Sequence, residues 1–355
     1  MILQKGDILD GKFEIIDCIA VGGMGEVYKG IDNDLSRPVA IKVLTKPSQE
    51  FTDRFIREAK SMAALDHSNI VPIYALGTHS GYHYFVMKFV LGETLEHLLK
   101  RQRLELDAPF TVERIAEIVC ATFRALDHAH RRGILHRDIK PGNIIIDSND
   151  QPILMDFGIV KRIEDSKVTQ TGVIFGTPQY MSPEQAMGMS QSPATDVYAL
   201  GIITFEMLAG RLPFVASSVY QMLLSHVNQK VPSLRDLNPL VPAWFEDIVT
   251  KMLEKTPEHR YNSANEVVQA IESNLTDGNS SSGHSTRASL ANVPIVIEKK
   301  AAGVQAHPGR YDGVVRQQKS SGGIFAGKRT LMLWVLIVFG VTALVSLYFF
   351  IEPKL

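Results

Sequence analysis

Apolar residues in the first quarter of the chain recur mostly in short runs, which is the spacing of strands. The runs at 13–16, 39–44 and 84–87 are bounded by polar or turn-forming residues, and each predicts one strand. Between them, 51–65 places its apolar residues three and four positions apart, which predicts a helix. We therefore expect a mainly β lobe that contains one helix.

The spacing changes after Gly92, where apolar residues recur three and four positions apart over longer stretches. This period is typical of helices that bury one face. It predicts four helices, over 112–129, 197–208, 244–253 and 264–271. The sequence thus predicts an α+β fold of two lobes joined near 88–92.

The charge balance argues against nucleic acid as a partner. The 355 residues include 37 basic and 38 acidic side chains, for a formal net charge of -1. Nucleic-acid-binding domains usually carry a basic surplus that neutralises phosphates. The two cysteines are too few for a disulfide framework or a zinc site, which favours a reducing compartment.

The composition shifts toward glycine, serine and charged residues over 275–329. Polar stretches open and close this region, at 277–285 and 319–323. Such a sequence cannot bury enough apolar surface to offset the entropy of ordering it. We therefore expect a flexible linker, which would be juxtamembrane because the apolar run that follows it is expected to span a membrane.

The residues at 330–351 are expected to form a transmembrane helix. From Leu331 to Ile351 no residue is charged. As a helix, this stretch would rise about 31 Å, close to the ~30 Å hydrocarbon core of a bilayer. The alternative is a buried C-terminal helix, which would need protein against every one of its faces.

The charges that flank this stretch predict its orientation. Lys328 and Arg329 precede it, whereas the tail at 352–355 contains a single lysine. The positive-inside rule therefore places residues 1–330 in the cytoplasm and the short tail outside. We expect a single-pass protein of the cell membrane that is controlled by clustering or by a partner.

One short loop combines three groups that phosphoryl transfer to a hydroxyl requires. These are a carboxylate for the hydroxyl proton, a cation beside the phosphoryl group and an amide oxygen on magnesium. Asp138, Lys140 and Asn143 supply them within HRDIKPGN at 136–143. A charged surface turn is the alternative. The order and spacing resemble the catalytic loop of the eukaryotic-like (Hanks-type) serine/threonine protein kinases.

That resemblance implies the bilobal protein-kinase fold over about 10–274, with an N-lobe at about 10–89 and a C-lobe at about 92–274. It also implies ATP and Mg²⁺ as cofactors, with Mn²⁺ as an alternative metal. The DFG sequence at 156–158 follows a buried strand and matches the family's metal-binding motif. Asn143 and Asp156 are therefore the expected metal ligands.

The resemblance extends to the lysine that holds the α- and β-phosphates of ATP. Lys42 stands at the end of the sequence VAIK and matches this lysine. Its expected partner is a glutamate on the helix at 51–65. Glu58 is the match, although Glu50 is also nearby.

The family's glycine-rich loop, which covers the phosphates, also has a counterpart. Ala20 stands where the family has its first glycine, and a methyl group would strain the backbone if this position needed φ > 0. We therefore expect weaker ATP binding than with glycine. The residues implied in ATP binding here are Ala20, Val21, Gly22, Gly23, Met24, Gly25 and Val27.

The resemblance also implies where adenine binds, at the joint between the lobes. Met87 would be the gatekeeper beside the base. Phe89 and Val90 would face the base with their backbone groups, and Ala40 together with Val27 would cover its ring. The alternative for Val27 and Ala40 is a plain core position, which is the commoner role of such residues.

The stretch from 156 to 184 resembles an activation segment that ends in a peptide-positioning motif. Thr177 is the implied substrate-positioning residue, and Lys140 with Thr177 favours serine and threonine as acceptors. Arg137 beside Asp138 implies control by a phosphate on this segment. Thr169 and Thr171 are the expected autophosphorylation sites, and a homodimer would allow this reaction in trans.

Two contacts made by residues outside the catalytic loop follow from the same resemblance. Glu184 is expected to pair with Arg260. Asp196 is expected to anchor the catalytic loop from the following helix.

Two other classes of protein share parts of these motifs. Small-molecule phosphotransferases of related fold lack the peptide-positioning segment. Pseudokinase scaffolds usually lose Lys42, Asp138 or Asp156, and all three are present here. We therefore expect an ATP-dependent kinase that phosphorylates proteins and is most similar to bacterial membrane-anchored members of the family.

Overall fold

The computed structural model describes residues 1–22, 25–45, 48–104, 110–157 and 178–280. Within these residues the strands form two antiparallel sheets. The strands are β1 (Ile8–Leu9), β2 (Phe13–Val21), β3 (Gly25–Asp32), β4 (Arg37–Leu44), β5 (Ile73–His79), β6 (Tyr82–Lys88), β7 (Gly92–Thr94), β8 (Ile144–Asp147) and β9 (Pro152–Leu154).

The six-stranded sheet has the order β1-β2-β3-β4-β6-β5 and forms the N-lobe. Its central strand, β4, is the apolar run that the sequence predicts, and most of its side chains are buried. The register of the sheet sets Val27 opposite Lys42 and Ala40 opposite Met87. The expected phosphate-binding lysine and the expected adenine-binding residues therefore lie on adjacent strands.

The helix predicted within this lobe is α1 (Gln49–Ala63). It begins at Ser48, whose side chain accepts a hydrogen bond from the Phe51 amide and so caps the helix. Phe55, Ala59 and Met62 are buried along one face, as the apolar spacing predicts. This face packs α1 against the sheet and turns Glu58 inward.

The C-lobe is mainly helical, as predicted. Its helices are α2 (Leu95–Arg103), α3 (Val112–His130), α4 (Pro183–Ala186), α5 (Pro193–Ala209), α6 (Val219–Asn228), α7 (Leu234–Leu237), α8 (Ala243–Met252) and α9 (Ala264–Ser280). Every residue of α5 from Ala194 to Ala209 is buried. A helix that is buried on all sides forms the centre of a lobe, and α3, α8 and α9 pack around this one.

The three-stranded sheet β7-β8-β9 lies where the two lobes meet. Two backbone hydrogen bonds join the segment after α1 to β9. The Val71 amide donates to the Leu154 carbonyl at 3.0 Å, and the Leu154 amide donates to the Asn69 carbonyl at 2.8 Å. The Asn69 side chain adds a bond to the Pro152 carbonyl at 2.8 Å. These bonds fix one end of the N-lobe to the C-lobe.

Two boundary predictions differ from the structure or lie beyond it. The last helix, α9, runs to Ser280, past the linker start expected near 275. Side chains of Asn274 and Thr276 bond to carbonyls one turn back along this helix. The expected span at 330–351 lies outside the described residues, and no helix within them is long and apolar enough to cross a membrane.

Candidate active site

The catalytic loop follows α3 and ends in a 3-10 turn over Pro141–Asn143. The Lys140 ammonium lies 3.1 Å from a carboxylate oxygen of Asp138. The side-chain amide nitrogen of Asn143 donates to the Asp138 backbone carbonyl at 2.8 Å. The turn thus brings together the carboxylate, the cation and the amide that the sequence places in this loop, and it leaves the Asn143 side-chain oxygen as an acceptor.

Asp196, in the first turn of α5, anchors the catalytic loop as expected. Its carboxylate accepts the His136 amide at 2.9 Å and the Arg137 amide at 2.8 Å, and it lies 2.7 Å from the His130 ring. Burial would raise the pKa of Asp196, but its hydrogen bonds and the nearby histidines outweigh burial and lower it. A buried carboxylate therefore fixes Arg137 in a left-handed conformation, with φ of 65°.

His136 connects the loop to the DFG sequence. Burial lowers the pKa of His136, so the ring is neutral. Its Nε2 lies 2.8 Å from the Met155 carbonyl and donates to it, while Nδ1 accepts the Asp138 amide at 3.3 Å. The ring also packs against Phe157, with centroids 4.6 Å apart. One imidazole thus holds both Asp138 and the residue before Asp156.

Lys42, on β4, lies between two carboxylates. Its ammonium is 2.9 Å from Asp156 and 3.4 Å from Glu58. Burial would lower the pKa of Lys42, but the two carboxylates outweigh burial and raise it above its usual value. The same ammonium lowers the pKa of Asp156 against the effect of burial. Burial raises the pKa of Glu58, and Lys42 only partly offsets this.

The described part of the glycine-rich loop lies at the β2–β3 turn. The Gly22 amide donates to the Gly25 carbonyl at 2.8 Å and so closes the turn. A Cβ atom at Gly25 would lie 2.6 Å from the Val43 carbonyl oxygen, so this position requires glycine. Gly23 and Met24 lie outside the described residues.

The expected strain at Ala20 is absent. Ala20 is part of β2, pairs with Val27 and does not have a positive φ. An extended backbone accommodates a methyl group without cost. The expectation of weaker ATP binding therefore loses its physical reason.

The residues expected around adenine lie together. Ala40 and Met87 are buried and belong to one apolar cluster, against which Val27, Phe89 and Val90 pack while partly exposed. Val27 lies on β3, Ala40 on β4 and Met87 on β6, and Phe89 and Val90 directly follow β6.

The protein kinase domain matches residues 13–271 of the chain. The chain belongs to the protein kinase domain family. The probable serine/threonine-protein kinase PknB of Lactococcus lactis is 40% identical over 275 residues, which are 76% of this chain and 43% of that protein. This chain thus spans less than half the length of that relative.

Two mycobacterial kinases are also similar to this chain, over different shares of their own lengths. Serine/threonine-protein kinase PknA of Mycobacterium tuberculosis is 34% identical over 360 residues, covering 96% of this chain and 81% of that protein. The crystal structure of the Mycobacterium tuberculosis PknI kinase domain superposes with a TM-score of 0.60 at 26% identity. It covers 76% of this chain and 99% of that domain.

The end of the expected activation segment is held by a buried ion pair. Arg260 makes two hydrogen bonds of 2.8 Å to the two carboxylate oxygens of Glu184, which confirms the pairing expected from the sequence. Thr195 donates to the same carboxylate at 2.8 Å. Burial would raise the pKa of Glu184, but Arg260 outweighs burial and lowers it. Thr169, Thr171 and Thr177 lie outside the described residues.

Several contacts of this segment were not predicted. Gln185 donates to the Arg137 carbonyl at 2.9 Å and so joins α4 to the catalytic loop. The Tyr180 hydroxyl donates to the buried Glu206 at 2.8 Å. The sequence contains the SxxQ capping signal at 182–185, which predicts a helix start, but it gives no sign of these distant partners.

His226, on α6, is a third residue that sequence reasoning missed. It is fully buried, and its Nδ1 lies 3.0 Å from the Tyr198 hydroxyl of α5. Its ring meets Phe214 edge-on, with centroids 5.2 Å apart. Burial lowers the pKa of His226 to about 4, so the ring is neutral at neutral pH. A lone histidine in a helix whose positions are mostly exposed gives no sequence signal that its side chain is buried against a neighbouring helix.

The donor set fits magnesium that is bound together with a nucleotide. Among the described residues, no group of three or more histidine, cysteine or acidic side chains could hold a metal alone. Mg²⁺ is commonly held by one or two protein oxygens together with substrate phosphates. The carboxylate of Asp156 and the free oxygen of Asn143 are suitable ligands of this kind.

Proposed function

We propose that this protein transfers the γ-phosphoryl group of ATP to serine and threonine hydroxyls of proteins. The observation that carries the proposal is the contact of Asp138 with Lys140 and Asn143 in one loop, beside the Lys42–Asp156 pair. The curated relatives in Lactococcus and Mycobacterium are named serine/threonine-protein kinases, which supports the same activity.

Each residue has a separate role in this reaction. Asp138 orients the substrate hydroxyl and receives its proton as the oxygen attacks the γ-phosphorus, while the bond from that phosphorus to the β–γ bridging oxygen breaks and ADP leaves. Lys140 neutralises charge on the transferred group, and Lys42 binds the α- and β-phosphates. Asp156 and Asn143 would hold the metal, which neutralises phosphate charge when bound. Positioning and electrostatics supply most of the catalysis in such a site.

Transfer of radiolabel from γ-labelled ATP tests this proposal. The full-length chain, purified in a mild detergent, is incubated with a generic basic protein, with Asp156→Ala as the inactive control. Label on serine and threonine of the protein in the wild type alone supports the proposal. Label only on small molecules would indicate a small-molecule phosphotransferase, and ATP binding without transfer would indicate a pseudokinase scaffold.

Autophosphorylation of Thr169 or Thr171 is a second part of the proposal. It is supported by Arg137, whose position next to Asp138 would place a guanidinium where a phosphorylated segment can neutralise it. Mass spectrometry of the full-length protein and of Asp138→Asn, each expressed alone, tests it. Phosphate on either threonine in the wild type only is expected, and unmodified threonines in fully active protein would contradict it. Mixing a tagged Asp138→Asn chain with the wild type tests transfer in trans through a homodimer.

Anchoring in the cell membrane is the third part. The apolar, uncharged run from Leu331 to Ile351 and the basic residues before it support this location, with the kinase domain in the cytoplasm. Fractionation of cells that express the whole chain tests it, together with protease treatment of spheroplasts. Sedimentation with membranes and protection of the kinase domain are expected, and recovery in the soluble fraction would exclude the anchor.

A further inference from the structure

A cleft of about 630 Å³ lies on the outer side of α1, away from the ATP site. Its described lining comes from both lobes, because residues of α1 form one wall and Arg132 and Ile134 form another. Arg132 and Ile134 belong to the short connection between α3 and the catalytic loop. Whatever binds in this cleft contacts the N-lobe helix and the C-lobe at the same time.

The charge of this cleft is mainly positive. Arg57, Lys60 and Arg132 line it, and Asp53 is the acidic residue among its described lining. Asp53 accepts a hydrogen bond from Gln49 at 2.9 Å rather than from these cations. In the part of the chain that the structure describes, Arg57 and Lys60 are exposed and form no ion pair. We call this feature the basic cleft.

The basic cleft is also preorganised and partly apolar. One guanidinium nitrogen of Arg132 donates to the His128 carbonyl at 3.0 Å, which restrains that side chain before any ligand binds. Ile56 and Ile134 are half-buried and provide apolar surface between the cations. Carboxylates beside one apolar side chain would match both parts of this surface.

We propose that the basic cleft is the docking site of an acidic peptide segment of a partner protein, and that docking stabilises α1 in the position in which Glu58 contacts Lys42. Arg57 directly precedes Glu58, which pairs with Lys42, and Ile134 stands two residues before His136. A segment bound across both walls restrains α1 relative to the catalytic loop. Its effect on catalysis rests on the function proposed above, whereas its binding does not.

Binding is tested with a short fluorescein-labelled peptide of one leucine followed by glutamates, and with a matched peptide that has glutamine for every glutamate. Anisotropy is measured on the full-length chain carrying Asp138→Asn, so that no catalysis is needed. The probed variant adds Arg57→Glu and Lys60→Glu. The control adds Lys5→Glu and Lys230→Glu, which make the same charge change at exposed lysines elsewhere.

The acidic peptide is expected to bind the parent and the control equally, and to bind the probed variant about tenfold or more weakly, because like charges then face each other. The glutamine peptide is expected to bind none of them. Equal binding to the parent and the probed variant would overturn the proposal, and so would no binding to the parent. Self-association of the chain that requires Arg57 and Lys60, without peptide binding, would assign the cleft to a second copy instead.

The catalytic consequence is measured separately on chains that retain Asp138. Saturating acidic peptide is expected to raise kcat/KM for ATP several-fold in the wild type and to leave the Arg57→Glu, Lys60→Glu variant unchanged. Binding without any change in kcat/KM would overturn the link to α1. Absence of all transfer, with or without peptide, would refute the proposed function while the binding result still stood.

Discussion

The ammonium of Lys42 lies 2.9 Å from the carboxylate of Asp156, so the expected phosphate-binding and metal-binding residues are in direct contact. Glu58 is farther from the same ammonium, at 3.4 Å. Each partner holds the other in place across the site, and the positive φ of Asp156, 50°, is part of this arrangement. The pair therefore organises the site more than the helix glutamate does.

Unequal losses are expected when Lys42 and Glu58 are replaced. Lys42→Met removes the cation that is expected to contact phosphate and should lower kcat/KM for ATP by about 10²–10³-fold. Glu58→Gln leaves the contact of Lys42 with Asp156 and should cost about tenfold, since a lost supporting hydrogen bond to a charged group is worth roughly 1.5 kcal/mol. Steady-state assays with both variants decide this, with thermal melts as a check on folding. Equal losses would show that Glu58 is as important as Asp156 in holding the lysine.

The glycine-rich loop should tolerate change at Ala20 but not at Gly25. A methyl group at Gly25 would lie 2.6 Å from the Val43 carbonyl oxygen, so the loop and β4 must separate. Such overpacking typically costs about 1–3 kcal/mol, and we expect KM for ATP to rise about tenfold or more. Ala20→Gly, in an extended strand, should change it less than about twofold. ATP titrations of both variants test this, and a large gain in affinity for Ala20→Gly would restore the strain argument.

The buried pair of Glu184 and Arg260 should matter for stability far more than an exposed one. Both side chains are almost completely buried. Glu184→Gln leaves a buried guanidinium without its counter-ion and should lower the free energy of unfolding by about 3–5 kcal/mol. The control is Asp34→Asn, which removes an exposed partner of Lys12 and should cost under about 1 kcal/mol. Urea denaturation of the two variants gives both values, and similar losses would contradict the prediction.

Buried His226 should make the fold sensitive to mild acid. Its pKa is about 4 in the folded protein, against an ordinary value of 6.5. Between these values the unfolded chain binds the extra proton, so stability falls as pH drops from 6.5 to 4, by up to about 1.4 kcal/mol per pH unit. His226→Phe should remove this part of the pH dependence. Unfolding curves at several pH values compare the variant with the wild type, and parallel pH profiles would count against the role of His226.

The catalytic loop could be predicted because its functional residues are close together in the sequence. Asp138, Lys140 and Asn143 lie within six residues of each other, so their order alone places a carboxylate, a cation and an amide together. The helix at α1 and the face with Phe55, Ala59 and Met62 were also predictable, because one period governs both burial and structure.

Contacts between distant segments were harder to predict. Asp196 and the Glu184–Arg260 pair were expected only because the chain resembles a known family. The bond between Gln185 and Arg137 and the contact of His226 with Tyr198 depend on how helices pack, and no local pattern encodes that packing. At Ala20 the motif gave the wrong expectation of strain, because a residue's φ is set by its strand and not by its place in a motif.

The burial of α5 on all sides has a consequence for how the catalytic loop unfolds. The amides of His136 and Arg137 are bonded to Asp196 in the first turn of this helix. Those protons can exchange with solvent only when the centre of the C-lobe opens, so they belong with its most slowly exchanging amides. The catalytic loop therefore shares the cooperativity of the lobe core, and heating should abolish its geometry in one step with the lobe rather than by gradual loosening of a surface loop.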